Sequence, residues 1–140
     1  MQSPDRPIDR AALIALCREY DLDLVILFGS RATGKTHQHS DIDIGVLRRG
    51  GPVPTDQVLD LDFKLSQIIK PGEVDIVDLR RASGLLRHTA CEKGVLLYER
   101  APGLFAGFRV RAWNLYQDER LAIRRYDSDA IRIALQGLAR

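Results

Sequence analysis

Apolar and polar positions alternate along the chain with two different periods. Leu13, Leu16 and Cys17 recur at helical spacing, and an almost unbroken apolar run follows a few residues later. A period near 3.6 indicates an amphipathic helix, whereas a short continuous apolar run is typical of a strand covered on both faces. We therefore predict a first helix over about residues 7–20 and a first strand over about residues 23–28.

The rest of the chain continues this alternation of helices and strands. Thr55 and Ser83 are predicted helix caps, and Pro71 and Gly94 are predicted helix stops. Together these signals predict an α/β (α+β) fold, with a mixed sheet flanked by helices and a helical C-terminal extension. The further predictions are strands near 41–47, 73–77 and 95–98, and helices near 55–70, 83–93 and from 104 onward, with a break near Asp127-Ser128.

The strongest chemical signal is Gly29-Ser30 followed, after ten residues, by Asp41-Ile42-Asp43. Residues two apart in a strand project from the same face, so Asp41 and Asp43 should point the same way. Two such carboxylates are costly to hold together without a cation, and Mg²⁺ combines carboxylates with substrate phosphates. A glycine turn and a serine hydroxyl would bind those phosphates. The pattern predicts a nucleotide site; a solvated acidic strand face is the alternative.

Asp75 interrupts the next apolar strand and is the predicted third carboxylate. If that strand lies beside the one carrying Asp41 and Asp43, three acids can surround two metal ions. One ion then holds a triphosphate, and the other activates an attacking hydroxyl. Asp78 points differently and is predicted to be a strand-end or capping residue, and Glu73 is the other alternative to Asp75.

The connection between the first two strands leaves other interpretations open. Residues 29–36, GSRATGKT, satisfy the P-loop pattern, but that loop needs a helix from Lys35, and a polar stretch and then a strand pattern follow instead. Arg31 contacts phosphate or is only a loop charge. His37 and His39 are interpreted as transition-metal ligands together with Asp41, as ordinary solvated histidines, or as side chains in transient contact with the nucleotide.

Composition narrows the class of protein further. The 140 residues suit one domain, no apolar run approaches the roughly 20 residues of a membrane span, and the amino terminus lacks a signal-peptide pattern. We therefore expect a cytoplasmic protein with no membrane contact, whose two cysteines are buried and reduced. Residues 1–78 carry a net charge of −4 and residues 79–140 a net charge of +6. The basic half suits an acidic protein, a nucleic acid or nucleotide phosphates, or is only a solvated surface.

The motif GSRATGKTHQHSDID, with VDIV supplying Asp75, resembles the minimal nucleotidyltransferases of the DNA polymerase β superfamily. The stretch from Leu85 to Tyr116 is similar to the MntA group, the antitoxin halves of HEPN–MNT toxin–antitoxin pairs. The resemblance implies a polymerase-β-like fold, with a nucleotidyltransferase domain over residues 1–100 and a helical extension over 101–140 packed on it.

The same resemblance implies a reaction, its cofactors and a partner. AMP would pass from ATP, with two Mg²⁺ ions, to a tyrosine hydroxyl of a HEPN ribonuclease toxin and silence it. Gly29 and Ser30 would hold phosphates, Asp41 and Asp43 would bind both metals, and Asp75 would complete the acceptor-side metal. Three alternatives remain: neutralisation by binding alone, transfer to a small molecule such as an aminoglycoside, and a P-loop ATPase. No direct nucleic-acid binding is expected, because no separate module for it is visible.

Overall fold

The computed structural model describes residues 8–29, 42–69 and 74–138. These residues contain four helices and four strands, which confirms the predicted mixture of the two kinds of element. The strands are β1 (Leu22–Phe28), β2 (Ile42–Arg48), β3 (Val74–Asp78) and β4 (Val95–Glu99). The helices are α1 (Arg10–Glu19), α2 (Thr55–Ile69), α3 (Gly84–Lys93) and α4 (Leu104–Leu138).

The strands form one mixed sheet in the order β3-β2-β1-β4. Strand β1 pairs antiparallel with both β2 and β4, whereas β2 and β3 are parallel and are connected through α2. Every side chain of β1 is buried except that of Leu27, which is half-buried. The prediction of a central strand covered on both faces is therefore confirmed.

Two apolar clusters cover the two faces of the sheet. Helices α1 and α2 pack on one face, where Leu13, Leu61 and Leu65 meet Ile44 and Val46 of β2. Helices α3 and α4 pack on the other face, where Ala90, Phe108 and Ala112 meet side chains of β1 that include Ile26. Successive residues of β1 such as Val25 and Ile26 thus enter opposite clusters, as the pleat requires.

Local capping explains where the helices begin and end. Helix α1 begins at Arg10, later than the predicted residue 7, because Asp9 adopts an extended conformation and its carboxylate accepts a hydrogen bond from the Ala12 amide at 3.1 Å. Ser83 caps α3 through the Leu86 amide, and the helix ends at Gly94, as predicted. Thr55 is the first residue of α2 rather than its cap.

Helix α4 is a single helix of 35 residues, so the predicted break near Asp127-Ser128 is wrong. Asp and Ser each cost an exposed helix at most about 0.7 kcal/mol relative to Ala, which is less than nucleating a second helix costs. At 1.5 Å per residue the helix is about 50 Å long. Among the described residues, no helix combines the length and the low charge needed to cross a membrane.

Candidate active site

Two of the predicted carboxylates lie side by side at one edge of the sheet. In the parallel pairing of β2 and β3, Asp43 is the direct register partner of Asp75. Ile44 and Val74 belong to the cluster beneath α1 and α2, so Asp43 and Asp75 project from the opposite face, on which α3 and α4 pack. Asp75 is exposed and Asp43 is half-buried. The structure thus brings together the two acids that the sequence placed on separate strands.

Gly29 closes the site from the side of β1. It follows Phe28, which is the register partner of Asp43, and it has a φ of +103°, a conformation that side-chain-bearing residues rarely adopt. A Cβ atom at this position would come within 2.5 Å of Oδ2 of Asp43 and 3.1 Å of its Cγ. Only glycine therefore lets the backbone after β1 approach the carboxylate this closely.

Leu79 packs on the face of β2 that carries Asp43. Gly45 follows Asp43 by two residues on the same face, and its missing Cβ leaves room for Leu79, whose methyl carbons would lie 3.1 Å from such an atom. Leu79 is fully buried, and its amide bonds to the carbonyl of Val46 at 2.9 Å. The sequence analysis did not single out this pair, and the glycine inside an otherwise β-branched strand was the available signal.

Asp78 has the structural role predicted for it. Its carboxylate accepts hydrogen bonds from the Val53 amide at 2.9 Å and from the Arg80 amide at 3.0 Å, and Arg81 approaches to 3.7 Å. These bonds fasten the end of β3 to the segment before α2. Asp78 therefore holds the chain that follows β3, and it lies three residues from Asp75, about 10 Å along the strand and on its other face.

The remaining predicted site residues lie outside the described part of the chain: Ser30, Arg31, Lys35, His37, His39, Asp41 and Glu73. No group of three or more metal-binding side chains occurs within residues 8–29, 42–69 and 74–138, and one of the three predicted ligands, Asp41, is not among those residues. The pair that is described, Asp43 and Asp75, offers hard carboxylate oxygens side by side. This donor type fits Mg²⁺ and does not fit a metal that prefers thiolate or imidazole.

Two aromatic residues of α4, Trp113 and Tyr116, form a cluster with His88 of α3. The His88 ring lies 5.0 Å from that of Trp113 and stacks on that of Tyr116 at 5.3 Å. Trp113 remains 47% exposed. This half-covered cluster is consistent with core packing and with contact with a partner.

The fold and the site define the class of protein. The chain belongs to the polymerase beta nucleotidyltransferase family, because residues 12–102 match the family model described as Polymerase beta, Nucleotidyltransferase. The predictions of a polymerase-β-like fold and of nucleotidyltransferase membership are thereby confirmed.

Within that class, the chain is similar to the protein adenylyltransferase MntA of Shewanella oneidensis, with 36% identity over 106 residues that cover 73% of each chain. It is also similar to a solved toxin–antitoxin structure with AMP-PNP, with a TM-score of 0.69 and 29% identity, over 89% of this chain and 99% of that one. Another similar structure is that of the tri-AMPylated Shewanella oneidensis HEPN toxin in complex with MNT antitoxin. Its TM-score is 0.64 at 27% identity, over 87% of this chain and 95% of that one. The predicted resemblance to MntA-type antitoxins is confirmed.

Proposed function

We propose that this protein is an antitoxin that transfers AMP from ATP to a tyrosine hydroxyl of a partner HEPN toxin and thereby neutralises it. The observation that carries the proposal is the register pairing of Asp43 with Asp75 beside Gly29. The similarity to protein adenylyltransferases and to an AMPylated toxin complex supports the same reaction.

The reaction requires in-line attack on the α-phosphorus of ATP. A bond forms between the acceptor oxygen and phosphorus, the bond to the β-phosphate oxygen breaks, and pyrophosphate leaves. Asp43 and Asp75, with Asp41 from the sequence motif, would hold two Mg²⁺ ions. When bound, these ions would neutralise the triphosphate and lower the pKa of the acceptor hydroxyl.

The two described carboxylates differ in exposure, and this difference suggests separate roles. Asp43 is half-buried against Gly29, which places it beside the turn where phosphate would bind. Asp75 is exposed, so a large acceptor can reach it from solvent. We assign Asp75 to the acceptor side, where its carboxylate receives the proton of the attacking hydroxyl. Gly29 and Ser30 would bind the β- and γ-phosphates, with Arg31 beside them.

The proposal also assigns a role to each of two parts of the chain. Residues 1–100 would carry out the transfer, and the helical extension of residues 101–140 would pack on that unit. The protein would act in the cytoplasm, where ATP and Mg²⁺ are both available.

Intact-mass spectrometry of the partner toxin, co-produced with this protein, tests the proposal. The wild-type chain should add one or more AMP masses to the toxin, and Asp43→Asn and Asp75→Asn should each abolish the addition. Asp21→Asn makes the same chemical change in the exposed turn at the opposite end of β1 and should leave the addition intact. An unmodified toxin in the presence of the wild-type chain would refute the transfer.

The same variants separate the alternative functions. If Asp43→Asn still protects cells while the toxin carries no added mass, binding alone neutralises the toxin. If Lys35→Ala abolishes ATP binding, the loop acts as a P-loop, because a carboxylate-based transferase should tolerate that change. Modification of an aminoglycoside and not of the toxin would indicate transfer to a small molecule.

A further inference from the structure

Only the first half of helix α4 packs against the sheet and α3. Phe108 and Ala112 are 3% and 1% exposed and belong to the cluster between the sheet and α3. Arg109 also forms a two-point ion pair with Glu92 near the end of α3, with N–O distances of 2.7 and 3.0 Å. The face of α4 that carries Phe108 and Ala112 is therefore its packing face.

The N-terminus of helix α3 contacts α4 at the point beyond which α4 no longer packs against the sheet. A Cβ atom on Gly84, the first residue of α3, would lie 2.6 Å from the backbone nitrogen of Tyr116, so the two backbones are in close contact there. Both carboxylate oxygens of Glu119 accept from the Gly84 amide, at 2.8 and 3.0 Å. The N-terminus of α3 is thus fixed against α4 at residues 115–119, and all the described side chains after Glu119 are exposed.

The packing face of α4 continues beyond α3 with the same apolar character. With 100° between successive residues, an unbroken arc of about 120° contains only apolar residues and lies on the same side as Phe108 and Ala112. Ile123, Tyr126 and Ile133 on this arc are 62%, 75% and 63% exposed. The members of this distal arc are Ala122, Ile123, Tyr126, Ala130, Ile133, Ala134 and Gly137.

The shape of the distal arc suits another helix. Four of its seven members are small: Gly137 and Ala130 lie at or near its centre, Ala122 and Ala134 at its margins, and a Cβ atom at Gly137 would meet nothing within 4 Å. Small residues let two helix axes approach closely, as α3 approaches α4 at Gly84. Leu121, Ile131 and other exposed apolar residues lie on the opposite side, which Arg124 and Ser128 interrupt.

The charges at the margins of the distal arc favour a partner chain over a second copy of this one. Asp127 and Asp129 flank the arc on its two sides, next to its middle residue, Ala130. A two-fold pairing of two arcs centred there would gather four carboxylates around the axis. Asp129 is paired with Arg132 at 3.3 Å, but both side chains are exposed, so this pairing screens little.

From these observations we infer that the distal arc is the docking surface for a helix of the partner toxin, one whose apolar face is flanked by Lys or Arg. This inference rests on the proposed function, since the toxin is the partner named there. The docked helix would continue the line of α3 along α4 and bury the apolar side chains that α4 leaves exposed.

The affinity of the full-length chain for the HEPN toxin tests the inference. Ala130→Glu places a carboxylate at the centre of the arc and should weaken binding at least about tenfold, because the charge would be buried without a partner. Gln136→Glu adds the same charge on the polar side of α4 and should leave the affinity unchanged. Glutamate is a good helix former, so both variants should retain the helix, which circular dichroism checks.

Kinetics separate this inference from the proposed reaction. Because Ala130 lies far from Asp43 and Asp75 along the chain and in a different element, Ala130→Glu should raise KM for the toxin and leave kcat unchanged. Wild-type affinity in Ala130→Glu would overturn the docking surface even if AMP transfer proceeds. A wild-type chain that binds the toxin without transferring AMP would overturn the reaction and leave the docking surface standing.

Two further outcomes would assign the distal arc to another occupant and overturn the inference. Sedimentation of the isolated chain as a dimer, with Ala130→Glu sedimenting as a monomer, would identify a second copy. Binding to vesicles of anionic lipid that Ala130→Glu abolishes would identify a membrane surface.

Discussion

The carboxylate of Asp43 lies against the backbone of Gly29, so that a Cβ atom on Gly29 would stand 2.5 Å from Oδ2. Gly29 directly follows the central strand, and Asp43 is paired with the last residue of that strand, Phe28. The glycine of the Gly-Ser motif thus lies against the carboxylate of Asp43, fourteen residues later in the chain. The motif and the carboxylate form one structural unit.

We expect Gly29→Ala to abolish AMP transfer and to lower the free energy of unfolding by about 2 kcal/mol or more. The new methyl group must displace the Asp43 carboxylate, and alanine is strained at a φ of +103°. Gly103→Ala is the matched control, because its φ is +90° and nothing lies within 4 Å of the added atom. Urea unfolding and toxin labelling measure both effects; equal behaviour of the two variants would contradict the steric argument.

Glu119→Ala should destabilise the protein by about 1–2 kcal/mol, the usual effect of losing a helix cap. The Gly84 amide would lose both oxygens that it now donates to, at the point where α3 meets α4. Asp118→Ala, at the exposed neighbouring position, should change stability little. Thermal unfolding compares the two variants, and the cap is refuted if they melt together.

Tyr20→Phe should be less stable than the wild type within a limited range of pH. The Tyr20 hydroxyl donates to Asp60, and this bond, followed by that from Lys64, lowers the pKa of Asp60. Stability from Asp60 is therefore present above its unfolded pKa of about 3.9 and is lost as the pH falls through its lower folded pKa. Burial, and then the bond to Asp60, raises the pKa of Tyr20, so stability from Tyr20 is present below about pH 10 and is lost above it.

The stability difference between wild type and Tyr20→Phe should consequently be largest near neutral pH and shrink on both sides. Urea unfolding at a series of pH values measures it. Tyr98→Phe is the control: burial is the main cause that raises the Tyr98 pKa, so this variant should show no loss on the acidic side. A difference independent of pH would show that Tyr20 contributes through packing alone.

Neither thiol should react while the protein is folded. Burial raises the pKa of Cys17 to about 12 and that of Cys91 to about 11, and the reactive form of a thiol is its thiolate. A thiol reagent at mildly alkaline pH should therefore label both cysteines only after the chain unfolds. Rapid labelling of the native protein, at the rate of a free cysteine, would show that the helices carrying them open.

Local chemistry accounts for the elements that the sequence predicted well. Helix α3 begins after Ser83, whose hydroxyl accepts from the Leu86 amide, and ends at Gly94, whose amide donates to the Ala90 carbonyl at a point where a Cβ atom would clash with that oxygen. The unbroken apolar run of β1 required burial on both faces, and the structure provides it. The break at Asp127-Ser128 was predicted from propensity alone, and propensity is too weak to interrupt a helix that continues on both sides.

The sequence by itself determined which strand neighbours share a face with Asp43 and which share a face with Asp75, because side-chain direction in a strand has a period of two. It also showed that a glycine directly follows the apolar run of β1. Only the tertiary structure decided that the two carboxylates are neighbours, since their meeting depends on a parallel, in-register pairing of β2 with β3 across the intervening helix α2. Such pairing is set by long-range packing, which no local pattern encodes. The same holds for α4: its apolar period is written in the chain, but where α3 stops covering it is decided by the fold.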